Sequence, residues 1–320
     1  MVEAINMAHA WEMARDPSVV VLGEDVGTNG GVFRATAGLQ QRFGKSRVQD
    51  TPLAEGLIAG AAIGMAAQGL KPVAEIQFMG FIYPALDQIA SHMARLRNRT
   101  RGRLTCPLVL RMPHGGGIHA PEHHSESLEA LLCHHPGLRV VCPSSPARAY
   151  GLLLASIRDP DPVIFLEPVR LYRFARQEVP DDGQGLPIGR CFVLREGSDL
   201  TLVTWGAMTV DSLKAAEQMA AEGIGCEVID VGTLAPIDYD TILGSVARTG
   251  RLLIVHEAVR TAGLGAEIAA IVAEQALYDL EGPIRRVTGY DTIMPLYRLE
   301  HDFIPGVPRI VDGIRATLAD

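Results

Sequence analysis

The sequence predicts an α/β protein of two domains built on largely parallel sheets. Three observations carry that expectation. Short apolar runs alternate with helix-length segments, one stretch rich in Pro, Gly and Asp interrupts the alternation, and no internal repeat or low-complexity tract competes with it. Strands separated by helices return by crossovers, which cover both faces of a parallel sheet.

Val2 to Met13 reads as an amphipathic opening helix, and Val19 to Leu22 as a strand that ends in the acidic loop Gly23-Glu24-Asp25. The junction Asp50-Thr51-Pro52-Leu53-Ala54-Glu55 leads into a helix over Gly56 to Gly69, GLIAGAAIGMAAQG, whose small residues permit close approach of another backbone. Pro72 to Ile76 is the next strand, Phe81 to Arg97 a long helix with a basic exit, and Leu108 to Met112 a strand entering the loop Pro113-His114-Gly115-Gly116-Gly117-Ile118-His119. A helix at Glu126 to Leu132, a strand at Leu138 to Cys142, a helix at Ala147 to Ile157 and a strand at Val163 to Leu166 complete a first domain over 1–180.

Gln177 to Gly189, QEVPDDGQGLPIG, is the linker. The second domain, 190–320, has strands at Thr201 to Thr204, Cys226 to Val231, Leu252 to Val255 and Ile284 to Val287. Helices at Val210 to Ala221, Tyr239 to Val246 and Ala262 to Leu277 lie between them.

With 48% hydrophobic and 21% charged residues the chain is that of an ordered protein. A net charge of -8 argues against nucleic acid, whose phosphates need a basic surface. The opening lacks a basic region followed by an apolar one, and the apolar run around Leu57 to Ala67 is too short to span a membrane. Five cysteines without a CxxC pair fit reduced thiols, so a cytoplasmic protein is expected.

In a sheet of this kind function gathers at strand C-terminal ends, where Glu24, the segment Pro113 to His124 and Pro143 fall. Glu55 allows two readings. It is an acidic residue at a helix N-terminus, where the dipole favours it, or a functional carboxylate at the rim of a smooth packing helix. The triple glycine either lets a ligand approach the backbone or marks a mobile loop. Six histidines (His114, His119, His123, His124, His134 and His135) crowd one region, yet HExxH is absent and neighbouring pairs seldom turn both rings to one ion. An imidazole that handles protons fits better, and His124, where the loop meets a helix, is best placed. Neither GxSxG nor an activated cysteine supplies a nucleophile, which points to a bound cofactor carrying the reactive atom. The turn Arg158-Asp159-Pro160-Asp161-Pro162 is a helix stop or a hard-cation site.

With these residues in view, the chain resembles the beta subunit of the E1 component of 2-oxo acid dehydrogenase complexes, the family of the pyruvate, branched-chain and acetoin enzymes. The landmarks span the full length: Gly23-Glu24-Asp25-Val26-Gly27, Asp50-Thr51-Pro52 with Glu55, Ala74-Glu75-Ile76-Gln77-Phe78, Asp87-Gln88-Ile89, His124-Ser125, His135-Pro136-Gly137-Leu138 and Val255-His256-Glu257-Ala258. The resemblance implies a transketolase-like pyrimidine-binding domain followed by a transketolase C-terminal-like domain. It implies an alpha2-beta2 heterotetramer with an E1 alpha subunit that supplies most of the thiamine diphosphate and Mg2+ site, whose GDG motif this chain lacks. It also implies a lipoyl-bearing E2 acyltransferase as acyl acceptor.

By the same resemblance Glu55 faces N1′ of the aminopyrimidine and favours its imino tautomer, and Glu24 supports cofactor or water contacts at that end. Phe81 and Phe78 form the aromatic wall, and His124 steadies the intermediate and the incoming lipoyl group. Ile157, Asp159 and Asp161 match a potassium turn. The chain departs from the family's pattern at Glu126, where Gln is common, at Gly232, where Arg is common, and in its histidine-rich loop. Acetoin dehydrogenase, a split transketolase-like subunit and a non-catalytic scaffold stand as alternatives.

Overall fold

Runs such as VVVLG at Val19–Gly23 and LLIV at Leu252–Val255 are buried at every position, as strands covered on both faces must be. The computed structural model describes residues 1–174 and 176–319; Ala175, inside the first expected domain, and Asp320, at the end of the second, lie outside them. In chain order the strands are β1 (Val19–Gly23), β2 (Val48–Asp50), β3 (Lys71–Glu75), β4 (Val109–His114), β5 (Arg139–Val141) and β6 (Val163–Pro168). After the linker come β7 (Phe192–Arg195), β8 (Leu200–Thr204), β9 (Cys226–Asp230), β10 (Thr233–Ala235), β11 (Leu252–Val255) and β12 (Arg285–Val287).

Two sheets result, one of seven strands ordered β10-β5-β6-β4-β3-β1-β2 and one of five ordered β12-β11-β8-β9-β7. The pairings are parallel except for β10 with β5 and β7 with β9. The chain is therefore α/β with two largely parallel sheets. Strand β10 lies beyond the linker yet pairs with the first sheet, placing Thr233 opposite Val141 and Ala235 opposite Val140. The apolar core is shared in the same way, since Leu132, Leu138 and Cys142 pack in one cluster with Val203, Trp205 and Ile229.

The helix Glu55–Ala67 shows how the site is carried. Its buried residues Ile58, Ala59, Ala62, Ile63 and Ala66 recur at the helical period, so one face is fixed against the sheet and Glu55 is delivered on that face. The expected long helix over Phe81 to Arg97 is instead three pieces: a 3₁₀ helix at Met79–Ala85, a π-helix at Gln88–Met93 and a short α-helix at Leu96–Arg99. Pro84 sits inside the first piece and has no N–H to continue an α-helical ladder. The helix expected from Glu126 begins only at Glu129, because the Glu126 carbonyl accepts from Gly115 N–H at 3.0 Å and the Leu128 N–H meets Met79 Sδ at 3.3 Å. Unforeseen in the sequence were β2, β7, β10 and a final helix at Val307–Leu318, which buries Ile310, Val311 and Ile314.

Candidate active site

Strand β1 ends at Gly23, and the acidic loop beyond it is tied to the start of the helix Glu55–Ala67. Asp50 Oδ1 accepts from Gly27 N–H at 2.6 Å, Gly23 C=O accepts from Thr51 N–H at 2.9 Å, and Thr36 Oγ1 donates to Val26 C=O at 2.7 Å. A Cβ at Gly27 would lie 2.2 Å from Gln40 Nε2 and 2.5 Å from Asp50 Oδ2, so the two side chains close tightly over this glycine. It brings Glu24 and Glu55 together at 8% and 9% exposure. Neither carboxylate has a hydrogen-bond or ion-pair partner among the described residues, and Glu55 makes no side-chain cap on its own helix. Burial pushes the Glu24 carboxyl above its usual range, and the charges of Glu55, Asp25 and Glu75 add to that effect.

The turn that packs on Gly56, next to Glu55, begins a wall of rings. Phe78 and Phe81 lie 5.8 Å apart between centroids, and the His124 imidazole sits 4.5 Å from the first and 5.0 Å from the second. His124 Nδ1 donates to the Glu122 carbonyl at 2.8 Å, which holds a proton on that nitrogen and turns Nε2 away from this contact. Phe33, absent from the sequence reading, extends the wall, 5.4 Å from Phe78 and 4.9 Å from Tyr172. The turn Met79–Ala85 lies between the two halves: a Cβ on Gly80 would come within 1.9 Å of the His123 carbonyl, and one on Gly56 within 3.0 Å of the Pro84 carbonyl. The structure thus gathers Glu24 with Glu55, and Phe78 with Phe81 and His124, about one short turn that itself carries Phe81.

Beneath the acids lies a buried ionic group. Arg111, 1% exposed, holds Glu167 with both Nε (2.7 Å) and Nη2 (2.6 Å) and reaches Glu75 with Nη1, while Tyr172 donates to Glu167. Burial alone would lower the Arg111 pKa, but Glu167 and Glu75 outweigh it and raise it. Burial, followed by the Arg111 charge, pushes nearby His9 down to about 3, so that ring is neutral. Removing one member of such a group leaves a buried charge unpaired, at a cost of about 3–5 kcal/mol. The signal in the sequence was a charge in each of three adjoining apolar strands, with Glu75 directly opposite Arg111.

The other histidines disperse, and among the described residues no group of three or more His, Cys, Asp or Glu could hold a metal ion. His114 Nε2 pairs with Glu129 at 3.1 Å, and Trp205 Nε1 donates to the same carboxylate at 3.3 Å. Burial would raise Glu129, but His114 overrides it and holds the carboxyl at about 2. The triple glycine packs closely on carboxylates from beyond the linker: a Cβ on Gly115 would stand 2.9 Å from Glu257 Oε1 and one on Gly116 3.0 Å from Glu300 Oε1. In the turn after buried Ile157, Asp159 pairs with Arg139 at 3.0 Å and Asp161 with Arg97 at 2.5 Å. Both carboxylates are paired with guanidinium groups.

Comparison with known proteins places this geometry. Residues 1–175 match the transketolase pyrimidine binding domain and residues 189–310 the transketolase C-terminal domain. The pyruvate dehydrogenase E1 component subunit beta of Acholeplasma laidlawii is 52% identical over 98% of this chain and 96% of its own length. The proteins of the same name from Staphylococcus epidermidis and Bacillus subtilis are 50% and 48% identical, each over 99% of this chain and 98% of theirs. A solved split gene transketolase, described as an inactive beta4 tetramer, superposes with a TM-score of 0.82 over 99% of this chain and 97% of its own; at 24% identity it shows the fold alone. The chain belongs to the family of E1 beta subunits of 2-oxo acid dehydrogenases, whose members include the pyruvate dehydrogenase E1 component subunit beta.

Proposed function

We propose that this chain is the beta half of a thiamine diphosphate-dependent E1 that decarboxylates pyruvate or a branched-chain 2-oxo acid and passes the acyl group to lipoyl-lysine of E2. The observation that carries the reading is the pair Glu24 and Glu55, two nearly buried carboxylates with no partner among the described residues, next to a turn that bears aromatic rings. A flat aminopyrimidine offers what this arrangement lacks, hydrogen-bond donors at its edge and a face for Phe78 and Phe81, so the residues fit the group. Bound thiamine diphosphate supplies the carbon nucleophile for decarboxylation.

In this reading Glu55 holds the proton at N1′, and a charge-assisted hydrogen bond away from water is strong enough to bias the tautomer. Glu24 keeps a second acceptor at the same end. Phe78 and Phe81 fix the ring and exclude water, and His124 presents Nε2 to the reacting group. An E1 alpha subunit in an alpha2-beta2 heterotetramer supplies the diphosphate and Mg2+ half of the site. The potassium reading of Ile157, Asp159 and Asp161 would depend on main-chain oxygens, and no step is assigned to it.

The test is co-expression with an alpha-type chain, followed by carbon dioxide release from pyruvate and branched 2-oxo acids with a dye as electron acceptor. Glu55→Gln should lower turnover by roughly 10²-fold or more with assembly intact. Undiminished turnover in that variant refutes the role of Glu55, and full activity of the isolated chain refutes the shared site.

A further inference from the structure

The loop that carries His124 is built from one domain and held by the other. Its neck is closed by the hydrogen bond from Gly115 N–H to the Glu126 carbonyl at 3.0 Å. Its rising arm hangs on two carboxylates from beyond the linker: Glu257 accepts from Gly116 N–H, and Glu300 accepts from Gly117 N–H and, at 3.0 Å, from His119 N–H. Both are buried, Glu257 at 5% and Glu300 at 2% exposure, and a buried carboxyl group is tolerated only where donors meet it. Glu300 spends both oxygens on the loop's main chain.

The loop cannot take up slack elsewhere. Gly115 and Gly117 have φ of 79° and 96°, and His119 and His123 hold left-handed φ of 57° and 67°, which costs energy in any residue but glycine. The falling arm is pressed onto Gly80 through the His123 carbonyl. Movement of the rising arm therefore passes to His124 and its place against Phe78 and Phe81.

We propose that Glu300, assisted by Glu257, is a positioning residue for His124, acting through the main chain of Gly116, Gly117 and His119 from the C-terminal domain. The catalytic consequence rests on the reading of His124 given above. A backbone clamp of this kind sets the height of the histidine without touching it, and a shift of about 1 Å at a reacting group can cost roughly 10²-fold in rate.

The experiment compares the wild-type chain with Glu300→Gln, whose amide opposes one of the two N–H groups, and with Gly116→Ala, whose Cβ would meet Glu300 Oε1 at 3.0 Å and displace it while leaving the charge. Hydrogen exchange on the full chain should rise at least tenfold for amides 116–124 and stay unchanged in β1 and β3. With the alpha partner, kcat should fall by roughly 10²-fold at a KM within about twofold of wild type. Gly116→Ala keeps the test open if Glu300→Gln does not fold. Unchanged loop exchange in both variants overturns the clamp, and raised exchange with unchanged kcat overturns its role in positioning. A wild-type complex without 2-oxo acid turnover, but with the exchange difference present, overturns the enzymatic reading and leaves the clamp standing.

Discussion

Glu24 and Glu55 lie close enough to repel at 8% and 9% exposure, and each lacks a hydrogen-bond donor of its own among the described residues. Like charges in such a position cost stability, which the isolated chain bears until something donates to them.

Glu55→Gln should therefore stabilise the isolated chain while lowering turnover of the complex. Because burial and the Glu55 charge raise the Glu24 pKa in the fold, the associated stability is present below the unfolded-state pKa of Glu24 and is lost as pH rises through its folded-state value. Urea unfolding at pH 7 should show a gain of about 1 kcal/mol for the variant, shrinking toward pH 4. Equal midpoints at both pH values would remove the repulsion from the account.

Asp230 gives a second pH signature, at the contact between the two sheets. Its side chain accepts from Ser144 and from Gly232 N–H at 3.2 Å, with Arg148 Nε 3.4 Å away. Burial pushes its carboxyl from the ordinary 3.8 up to about 6, so its contribution is full below the lower value and lost as pH rises through the upper one. The loss amounts to about 3 kcal/mol. Asp230→Asn should flatten the stability curve between about pH 4 and 6, measured by thermal unfolding; a wild-type slope retained in the variant would contradict this.

Gly80→Ala probes the contact between the turn and the histidine loop. Its Cβ would stand 1.9 Å from the His123 carbonyl, a backbone atom that cannot swing aside. A loss of about 1–3 kcal/mol in unfolding free energy is expected, together with a shift of the His124 ring resonances. A variant with wild-type stability and an unmoved His124 spectrum would show that the turn has room to give.

Much of this was legible before any coordinates. The alternation of apolar runs gave both sheets, and the strand ends gave the neighbourhoods of Glu24 and His124, because buried parallel strands are near-continuous hydrophobic runs and their C-terminal ends must open somewhere. What escaped depended on contacts distant in sequence. Thr233–Ala235 is too short to show a period and becomes a strand only because Val140 and Val141 present a free edge. Phe33 joins the wall through a loop, and Glu300 finds its donors in a loop whose glycines look merely flexible in one dimension. Pro84 was visible, but an otherwise helical pattern concealed the break it imposes.

Strand β10 sets an order of events during synthesis. The first sheet gains its last strand only after the linker and β7 to β9 have left the ribosome, and until then β5 exposes an unpaired edge on which another chain can template. The histidine loop waits longer still, since Glu300 follows β12 in the chain. The loop beside His124 thus finds its main-chain partners only after β11 and β12 have been made, long after its own residues.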